Sequence, residues 1–304
     1  MTNGAGRARR APEPAYPVLV PVATRTLTTI EQMRAFVASE RAAGRRVALV
    51  PTMGALHEGH LALVRAAREH ADTVIASVFV NPMQFGPHED LERYPRTPDT
   101  DTAQLIVLGA EAIFMPDVDE MYPDGRSATI VTAGHLGTVL EGRSRPGHFD
   151  GVLTVVTKLL SIVTPDVACF GEKDAQQLFL VRRMVRDLNL PVEIVGVPTV
   201  REPDGVAMSS RNAMLAAGER HDARILSRAL EAARSASDRG VESMLAAAQS
   251  VFQADSGVTL DYLAIVDPHT FAFAGEQHHG PVQVLVAARV GTVRLIDNAV
   301  FSIP

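Results

Sequence analysis

The chain has 304 residues, 46% of them hydrophobic, which is enough for one large or two moderate domains with buried cores. The formal net charge of −6 argues against a surface devoted to nucleic acid, because such a surface would require clustered lysine and arginine. No run of eighteen apolar residues is present and Cys169 is the only cysteine, so we expect a cytoplasmic protein without a membrane span or a disulfide within the chain.

The first part of the chain alternates short apolar runs with amphipathic segments. Residues 1–26 are rich in arginine and proline near their start, and we expect a disordered tail there. From residue 47 onward the alternation is typical of βαβ units. Strands are predicted at VALVP (47–51), TVIASVFV (73–80), AEAIFM (110–115), ATIVTA (128–133), VACFG (167–171) and VEIVGVP (192–198), and helices near 57–71, 98–109, 152–163 and 174–188. Continuous apolar strands of this kind indicate an α/β fold, a doubly wound parallel sheet with helices on both faces.

The pattern changes after about residue 199. Two alanine-rich helical segments, near 216–235 and 239–254, precede the strand-like runs VTLDYLAIVD, VQVLVAARV and TVRLIDNAVF. Residues 282–301 are typical of an antiparallel hairpin that turns at Gly291. We therefore expect a domain of residues 27–199, followed by a smaller C-terminal α+β lid domain of residues 200–304.

The stretch PTMGALHEGH joins the first predicted strand to the first predicted helix. This connection places a helix N-terminus at the carboxyl edge of the sheet, where open α/β folds bind ligands. Backbone N–H groups favour phosphate there, and His57 and His60 can add donors one turn apart. Gly59 lacks a side chain and lets a base or ribose approach the backbone. The same spacing also fits a surface pair or half of a metal site, and its position favours a nucleotide.

Three later stretches place polar side chains directly after predicted strands. These side chains are Asn81 and Gln84 in VFVNPMQF, Lys173, Asp174 and Gln177 in FGEKDAQQL, and Ser209, Ser210 and Arg211 in AMSSRN. Lysine and arginine can bind phosphate, aspartate can bind ribose hydroxyls, and amides suit a small polar substrate. Each stretch also has an ordinary interpretation, as loop-stabilising amides, a helix N-cap or a turn.

The histidine turn and the Ser-Ser-Arg loop resemble the HxGH and KMSKS-type motifs of the nucleotidylyltransferase superfamily. The blocks of pantoate–β-alanine ligases (pantothenate synthetases) are the closer resemblance, in the same order and spacing over roughly residues 27–301. The stretches that carry it are PTMGALHEGHLALV, VFVNPMQF, YPRTPD, GHFDGVLTVVTKL, FGEKDAQQL, VPTVREPDGVAMSSRN and LDYLAIVD. The resemblance implies a Rossmann-like fold and an ATP- and Mg²⁺-dependent ligase. Such an enzyme joins pantoate to β-alanine through a pantoyl adenylate, releases AMP and pyrophosphate, and forms a homodimer.

The resemblance also implies roles for individual residues. The triphosphate and its transition state are assigned to His57, His60, Lys173, Ser209, Ser210 and Arg211. Further ATP contacts are assigned to Met53, Gly54, Gly171, Asp174, Val200 and Met208. Pantoate is assigned to Gln84 and Gln177 with Met53 beside it, β-alanine to Asn81, and the metal to Asp101. The chain departs from the family at Ala175, where an aromatic residue is common, and at Thr100, where a third acid is common.

Other interpretations of the motifs are an adenylyltransferase that stops at a dinucleotide and a non-catalytic nucleotide-binding protein. An aminoacyl-tRNA synthetase is disfavoured because no basic anticodon-binding domain follows the motifs. The segment LEGRSRPGHFDGV leaves two possibilities open. Its Glu141, Arg143, Arg145 and His148 belong either to a flexible surface loop or to the cleft.

Overall fold

The central sheet has six parallel strands. The computed structural model describes residues 24–87, 89–253 and 257–304. In chain order the strands are β1 (Arg25–Leu27), β2 (Val47–Thr52), β3 (Thr73–Val78), β4 (Ala112–Phe114), β5 (Val167–Gly171) and β6 (Glu193–Val197). Their order across the sheet is β1-β4-β3-β2-β5-β6, so the chain leaves β2 toward β3 on one side and reaches β5 on the other. The carboxyl ends of β2 and β5 therefore flank the crevice where such sheets bind ligands.

Helices cover both faces of this sheet, which confirms the predicted fold class. They are α1 (Ile30–Ala42), α2 (Glu58–His70), α3 (Pro98–Val107), α4 (Val118–Met121), α5 (Glu141–Ser144), α6 (His148–Val163) and α7 (Ala175–Asp187). One apolar core joins the sheet to α1, α6 and α7. A second core, on the opposite face, contains Leu63, Val64 and Ala67 of α2 and Leu105 of α3.

The C-terminal part consists of helices packed on an antiparallel sheet. Its elements are α8 (Ala217–Asp222), α9 (Ile225–Arg234), α10 (Val241–Gln253), β7 (Val258–Val266), β8 (Gly280–Val290) and β9 (Val293–Ile303). The sheet order is β7-β8-β9, and α9 and α10 share one apolar core with it. The β8–β9 hairpin pairs Val290 with Val293 around Gly291, which confirms the predicted turn. The division of the chain near residue 199 falls between the two sheets and stays a prediction.

One predicted strand, ATIVTA at residues 128–133, is wrong. The segment has no regular secondary structure and runs along α6. Its Val131 N–H donates to Thr154 Oγ1 (3.0 Å), and its Ala133 N–H donates to Asp150 Oδ1 (2.8 Å). Because side chains of α6 accept these backbone hydrogen bonds, the segment needs no neighbouring strand. The helix itself begins at His148, four residues earlier than expected.

The sequence pattern also missed the first two elements. Strand β1 begins at Arg25, inside the range expected to be a tail, and pairs with β4 from Arg25↔Ala112 to Leu27↔Phe114. Helix α1 follows, with Thr29 and Gln32 forming a capping box at its start. A strand of three residues is too short to show a hydrophobic period. Residues 1–23 of the expected tail lie outside the described residues. Within the described ranges, no helix is long and apolar enough to cross a membrane.

Candidate active site

The site lies between the carboxyl edge of the parallel sheet and the C-terminal sheet. Two adjoining cavities, of about 470 and 220 Å³, occupy this position. The residues that line both cavities are Arg145, His148, Lys173, Asp174, Gln177, Ser209 and Arg211. The smaller cavity is lined by every site residue predicted from the sequence except Gly54 and Asp101. Residues far apart in the chain therefore meet in one cleft.

The two histidines at the start of α2 are held as neutral donors. His57 is the N-cap, and its Nδ1 accepts the N–H of Gly59 at 3.1 Å, while His60 Nδ1 accepts the N–H of His57 at 3.4 Å. Each neutral ring therefore carries its proton on Nε2. Burial lowers the pKa of both rings, and that of His60 falls to about 3. At neutral pH both rings can donate to phosphate oxygens, but neither is a cation.

Gly59 makes room for the ring that caps α2. A Cβ at this position would lie 2.9 Å from Cε1 and Nδ1 of the His57 ring. Gly59 also lines the smaller cavity, so the expected approach of a base or ribose to its backbone stays a prediction.

Asp101 closes the loop before α2 instead of facing the cleft. Its Oδ1 accepts from the Leu56 N–H (2.8 Å) and the Thr97 hydroxyl (3.1 Å), and its Oδ2 accepts from the Ala55 N–H (3.0 Å). The side chain is buried, and Gly54 lies in the same loop. Both oxygens are thus used within the protein, so Asp101 does not fit the metal-ligand role expected for it.

The described residues also contain no other ready-made metal site. Within residues 24–87, 89–253 and 257–304, no group of three or more histidine, cysteine, aspartate or glutamate side chains is arranged to hold an ion. Thr100, where the family commonly has a further acid, is exposed in the first turn of α3. Mg²⁺ at a nucleotide site takes much of its shell from water and substrate phosphates.

The turn after β5 presents a lysine and an aspartate. Lys173 Nζ lies 3.5 Å from Asp174 Oδ1, and the lysine side chain is 19% exposed. Asp174 occupies the N-cap position of α7, but its side chain makes no capping hydrogen bond and is 46% exposed. Its carboxylate therefore stays open to the cleft. Gly171 adjoins open space, with no atom within 4 Å of the position where a Cβ would lie.

The Ser-Ser-Arg loop is held from two sides. Ser209 Oγ accepts the Arg211 N–H at 3.3 Å, and Met208 is joined to Val200 by a backbone hydrogen bond of 2.9 Å. The Arg211 guanidinium donates through Nε and Nη2 to both carboxylate oxygens of Asp90, each at 3.1 Å. The Arg211 guanidinium is already hydrogen-bonded to the Asp90 carboxylate. A bound phosphate must therefore either share Arg211 with Asp90 or displace the Asp90 carboxylate.

Amide groups also line the smaller cavity. Gln84 Nε2 lies 3.0 Å from the Met53 sulfur, and Gln177 lines both cavities. The neighbouring Gln176 lines only the larger cavity, and its amide is already used in hydrogen bonds to the carbonyls of Leu136 and Val139. The apolar wall beside them comes from Phe79, Val152, Val155, Val156 and Leu159.

Asn81 lies behind Gln84 and has no free polar atom in its side chain. Its Oδ1 accepts from the Met83 N–H and the Tyr122 hydroxyl, and its Nδ2 donates to Gln84 Oε1 and the Gly151 carbonyl. The residue is only 1% exposed. Asn81 also lines the smaller cavity, so its expected place near β-alanine stays a prediction.

Three of the four residues that the sequence assigned either to a surface loop or to the cleft lie in the cleft. Glu141, Arg145 and His148 line the larger cavity, whereas Arg143 is exposed. Arg145 donates to His148 Nε2 at 3.0 Å, so His148 carries its proton on Nδ1 and donates it to the Gln84 carbonyl at 2.8 Å. Burial lowers the pKa of His148 to about 4. This histidine therefore holds the backbone of Gln84.

Sequence reasoning missed several groups that shape the cleft. The Tyr94 hydroxyl lies 3.3 Å from Ser210 Oγ, and Arg211 lies over the same ring at 5.8 Å. Asn298 on β9 donates its amide to the carbonyls of Glu172 and Lys173, at 2.9 and 2.8 Å. Tyr94 belongs to the YPRTPD block, which offered a signal, but no local pattern connects Asn298 with a turn 125 residues away.

Comparison with known proteins identifies the family. The family model for pantoate-beta-alanine ligase matches residues 25–300. The chain belongs to this family. Pantothenate synthetase of Leifsonia xyli subsp. xyli is 58% identical over 259 residues, which cover 85% of this chain and 90% of that protein. The Thermobifida fusca pantothenate synthetase is 52% identical over 287 residues, covering 91% and 95% of the two chains.

Solved structures of pantoate–β-alanine ligases share this fold. Pantothenate synthetase from Thermus thermophilus superposes with a TM-score of 0.85 at 49% identity, over 90% of this chain and 98% of that one. The Francisella tularensis ligase, crystallised with beta-gamma ATP and beta-alanine, gives a TM-score of 0.75 at 34% identity, over 91% and 97%. The chain is thus an ATP-using ligase that forms pantothenate from pantoate and β-alanine.

Proposed function

We propose that the cleft carries out the whole reaction, with phosphate chemistry at one end and pantoate binding at the other. The observation that carries this proposal is the smaller cavity, where His57 and His60 face the same space as Gln84 and Gln177. The Francisella tularensis ligase was crystallised with an ATP compound and beta-alanine, which supports the same ligands here.

In the first step a pantoate carboxylate oxygen attacks the α-phosphorus of ATP, and the bond to pyrophosphate breaks. The protein need not supply a covalent nucleophile, so its contribution is alignment and stabilisation of charge on the phosphates. The Nε2–H groups of His57 and His60 donate as neutral groups, and Lys173 and Arg211 supply positive charge. Ser209 and Ser210 add hydroxyl donors from the loop that carries Arg211.

In the second step the β-alanine amine attacks the acyl carbon of pantoyl adenylate. The carbon–nitrogen bond forms, the amine loses a proton, and AMP leaves. The larger cavity adjoins the Lys173–Arg211 wall and gives β-alanine a route to the acyl carbon. The cleft between the two sheets also limits the access of water to this reactive anhydride.

Mg²⁺ belongs to the proposal only as the ion bound with ATP. When bound, it neutralises charge on the phosphates. Asp174 is the half-exposed carboxylate of the predicted site that remains open to the cleft, and we propose it as a contact for the ribose, as the family resemblance implies. The homodimer and the cytoplasmic location also stay predictions, and sedimentation of the purified protein tests the first.

The deciding experiment supplies ATP, pantoate and β-alanine together and measures every product. We expect AMP, pyrophosphate and pantothenate in equal amounts. ADP as the stoichiometric product would contradict an adenylate. A dinucleotide product would identify an adenylyltransferase, and the absence of turnover with bound ATP would identify a nucleotide-binding protein without catalysis.

A further inference from the structure

A buried polar chain lies directly behind Gln84. It consists of Tyr122, Asn81 and Gln84, whose exposed fractions are 4%, 1% and 8%. Asn81 follows β3, Gln84 ends the short turn after it, and Tyr122 follows α4. The proposed function gives Gln84 a contact with pantoate and gives Tyr122 none.

The orientation of the Asn81 amide is fixed by backbone groups that have only one possible role. The Met83 N–H can only donate and lies 3.3 Å from Oδ1, whereas the Gly151 carbonyl can only accept and lies 3.1 Å from Nδ2. Residue 151 has to be a glycine for this packing, because a Cβ at that position would clash with the Met83 carbonyl. Exchanging oxygen and nitrogen in Asn81 would therefore break both contacts.

This orientation determines how Gln84 faces the cleft. Because Asn81 directs Nδ2 toward Gln84, Gln84 must present its oxygen there, and the Nδ2–Oε1 distance is 3.1 Å. Its Nε2 then points to the Met53 sulfur, 3.0 Å away on the cavity wall. A thioether is a weak acceptor, so Nε2 keeps donor capacity for an oxygen of a bound substrate.

Tyr122 completes the chain from the far side. Its hydroxyl donates to Asn81 Oδ1 at 2.8 Å, and Lys158 Nζ lies 5.3 Å from the centre of its ring. Burial raises the pKa of the Tyr122 hydroxyl to about 12, so the group keeps its proton throughout the physiological range. The Asn81 side chain thereby reaches its full capacity of four hydrogen bonds.

We propose that Tyr122 and Asn81 are positioning residues that turn the Gln84 amide so that its Nε2 donates to an oxygen of pantoate. The inference rests on the proposed contact between Gln84 and pantoate. A reversed amide would direct Oε1 at a pantoate carboxylate oxygen, and two acceptors would then face each other. The buried chain thus selects a substrate that offers an oxygen acceptor at this end of the cleft.

The test is a double-mutant cycle on the pantoate kcat/KM, at saturating ATP and β-alanine. Tyr122→Phe removes one hydrogen bond, and we expect a fall of about two- to tenfold, seen mainly as a higher pantoate KM with the ATP KM unchanged. In a Gln84→Ala background the same replacement should change kcat/KM by less than about twofold, because Tyr122 acts through Gln84. An undiminished effect in that background would overturn the proposal.

Two further variants separate positioning from folding. Asn81→Asp places an oxygen opposite Gln84 Oε1 and favours the reversed amide, so we expect a fall in kcat/KM of about tenfold or more. Thr73→Val is the control, because it also removes one buried hydroxyl donor, which contacts Glu40 at 2.6 Å, and neither of these two residues lines either cavity. An equal loss in this control would also refute the proposal. Absence of pantothenate formation by the parent protein would instead refute the proposed function, and thermal melts would identify any variant that does not fold.

Discussion

Replacing His60 with alanine removes one Nε2–H donor from the phosphate end of the cleft. Because charge on the phosphates shifts during adenylation, the lost donor should affect the chemical step more than substrate binding. We expect the rate of the pantoate plus ATP half-reaction to fall by about 10²–10³, with little change in pantoate affinity. Stopped-flow measurement of pyrophosphate release checks this expectation.

The control for His60→Ala is His70→Ala, at the opposite end of the same helix. This variant should react at the parental rate. The His60→Ala protein should also react with β-alanine when purified pantoyl adenylate is supplied, since the phosphate step is then complete. A folded His60→Ala protein that makes the adenylate at the parental rate would remove this histidine from the mechanism.

Buried histidines should also make stability depend on pH. The pKa is about 3 for His60 and about 4 for His148, against about 6.5 in an unfolded chain. Above pH 6.5 both histidines are neutral in the folded and the unfolded protein, so neither lowers the free energy of unfolding. As the pH falls from 6.5 toward 4, only the unfolded state binds protons, so the free energy of unfolding falls by at most about 1.4 kcal/mol per pH unit for each histidine.

Urea unfolding at pH 7 and pH 5 measures this dependence. His148→Gln and His60→Gln should each lower the slope, because each removes a group whose protonation favours unfolding. His221→Gln, at an exposed position, should leave the slope unchanged. Equal pH dependence in all four proteins would show that other groups control acid unfolding.

At the scale of elements, β9 supports the turn that presents Lys173. Asn298 donates to the carbonyls of Glu172 and Lys173, and Gln283 on β8 in turn donates to Asn298 Oδ1 at 2.9 Å. Asn298→Ala removes both bonds to the turn, and we expect the ATP KM to rise about tenfold as the lysine loses its fixed position. Steady-state kinetics with ATP as the varied substrate provides the measurement.

Gln283→Ala is the matched variant for Asn298→Ala. It removes the partner of Asn298 but keeps both hydrogen bonds to the turn, so its effect on the ATP KM should be clearly smaller. If the two variants raise the ATP KM equally, the effect comes from the strand as a whole and not from the bonds to Glu172 and Lys173.

At the scale of the whole molecule, an ion pair joins the C-terminal sheet to helix α5. Arg294 on β9 donates through Nη1 to both carboxylate oxygens of Glu141, at 2.7 and 2.8 Å, and both side chains are largely buried. Arg294→Met leaves the carboxylate without this partner, and we expect a loss of stability of at most about 3–5 kcal/mol. Arg145, 4.0 Å from the same carboxylate, should reduce the loss.

The double variant Glu141→Gln with Arg294→Met tests whether an unpaired charge is the cause. The double variant removes the charges of Arg294 and Glu141 and leaves only the more exposed Asp261, the second partner of Arg294, without its ion pair. We therefore expect it to recover a measurable part of the stability lost in Arg294→Met. Urea unfolding monitored by circular dichroism gives the free energies. A double variant that loses the sum of the two single losses would show that packing, and not charge pairing, dominates this contact.

The sequence by itself determined the features that arise from neighbours along the chain. The apolar runs predicted the parallel sheet, and the step from VALVP into the helix placed His57 and His60 at its carboxyl edge. These predictions succeed because strand and helix periods, turns and caps depend on residues a few positions apart. The ordered motifs likewise indicated the family, which the comparisons confirmed. The substrate roles of the individual site residues stay predictions.

Only the tertiary structure decided how those groups are oriented and supported. It showed that Asp101 holds a loop, that Asp90 pairs with Arg211, and that Asn81 donates a hydrogen bond to Gln84. It also fixed which ring nitrogen carries the proton in His57, His60 and His148, through the hydrogen-bonding groups around each ring. Such contacts join residues that lie far apart in the chain, or depend on which atom of a side chain faces its neighbour. The local pattern of apolar residues predicts neither kind of contact, because packing across the sheet brings these groups together.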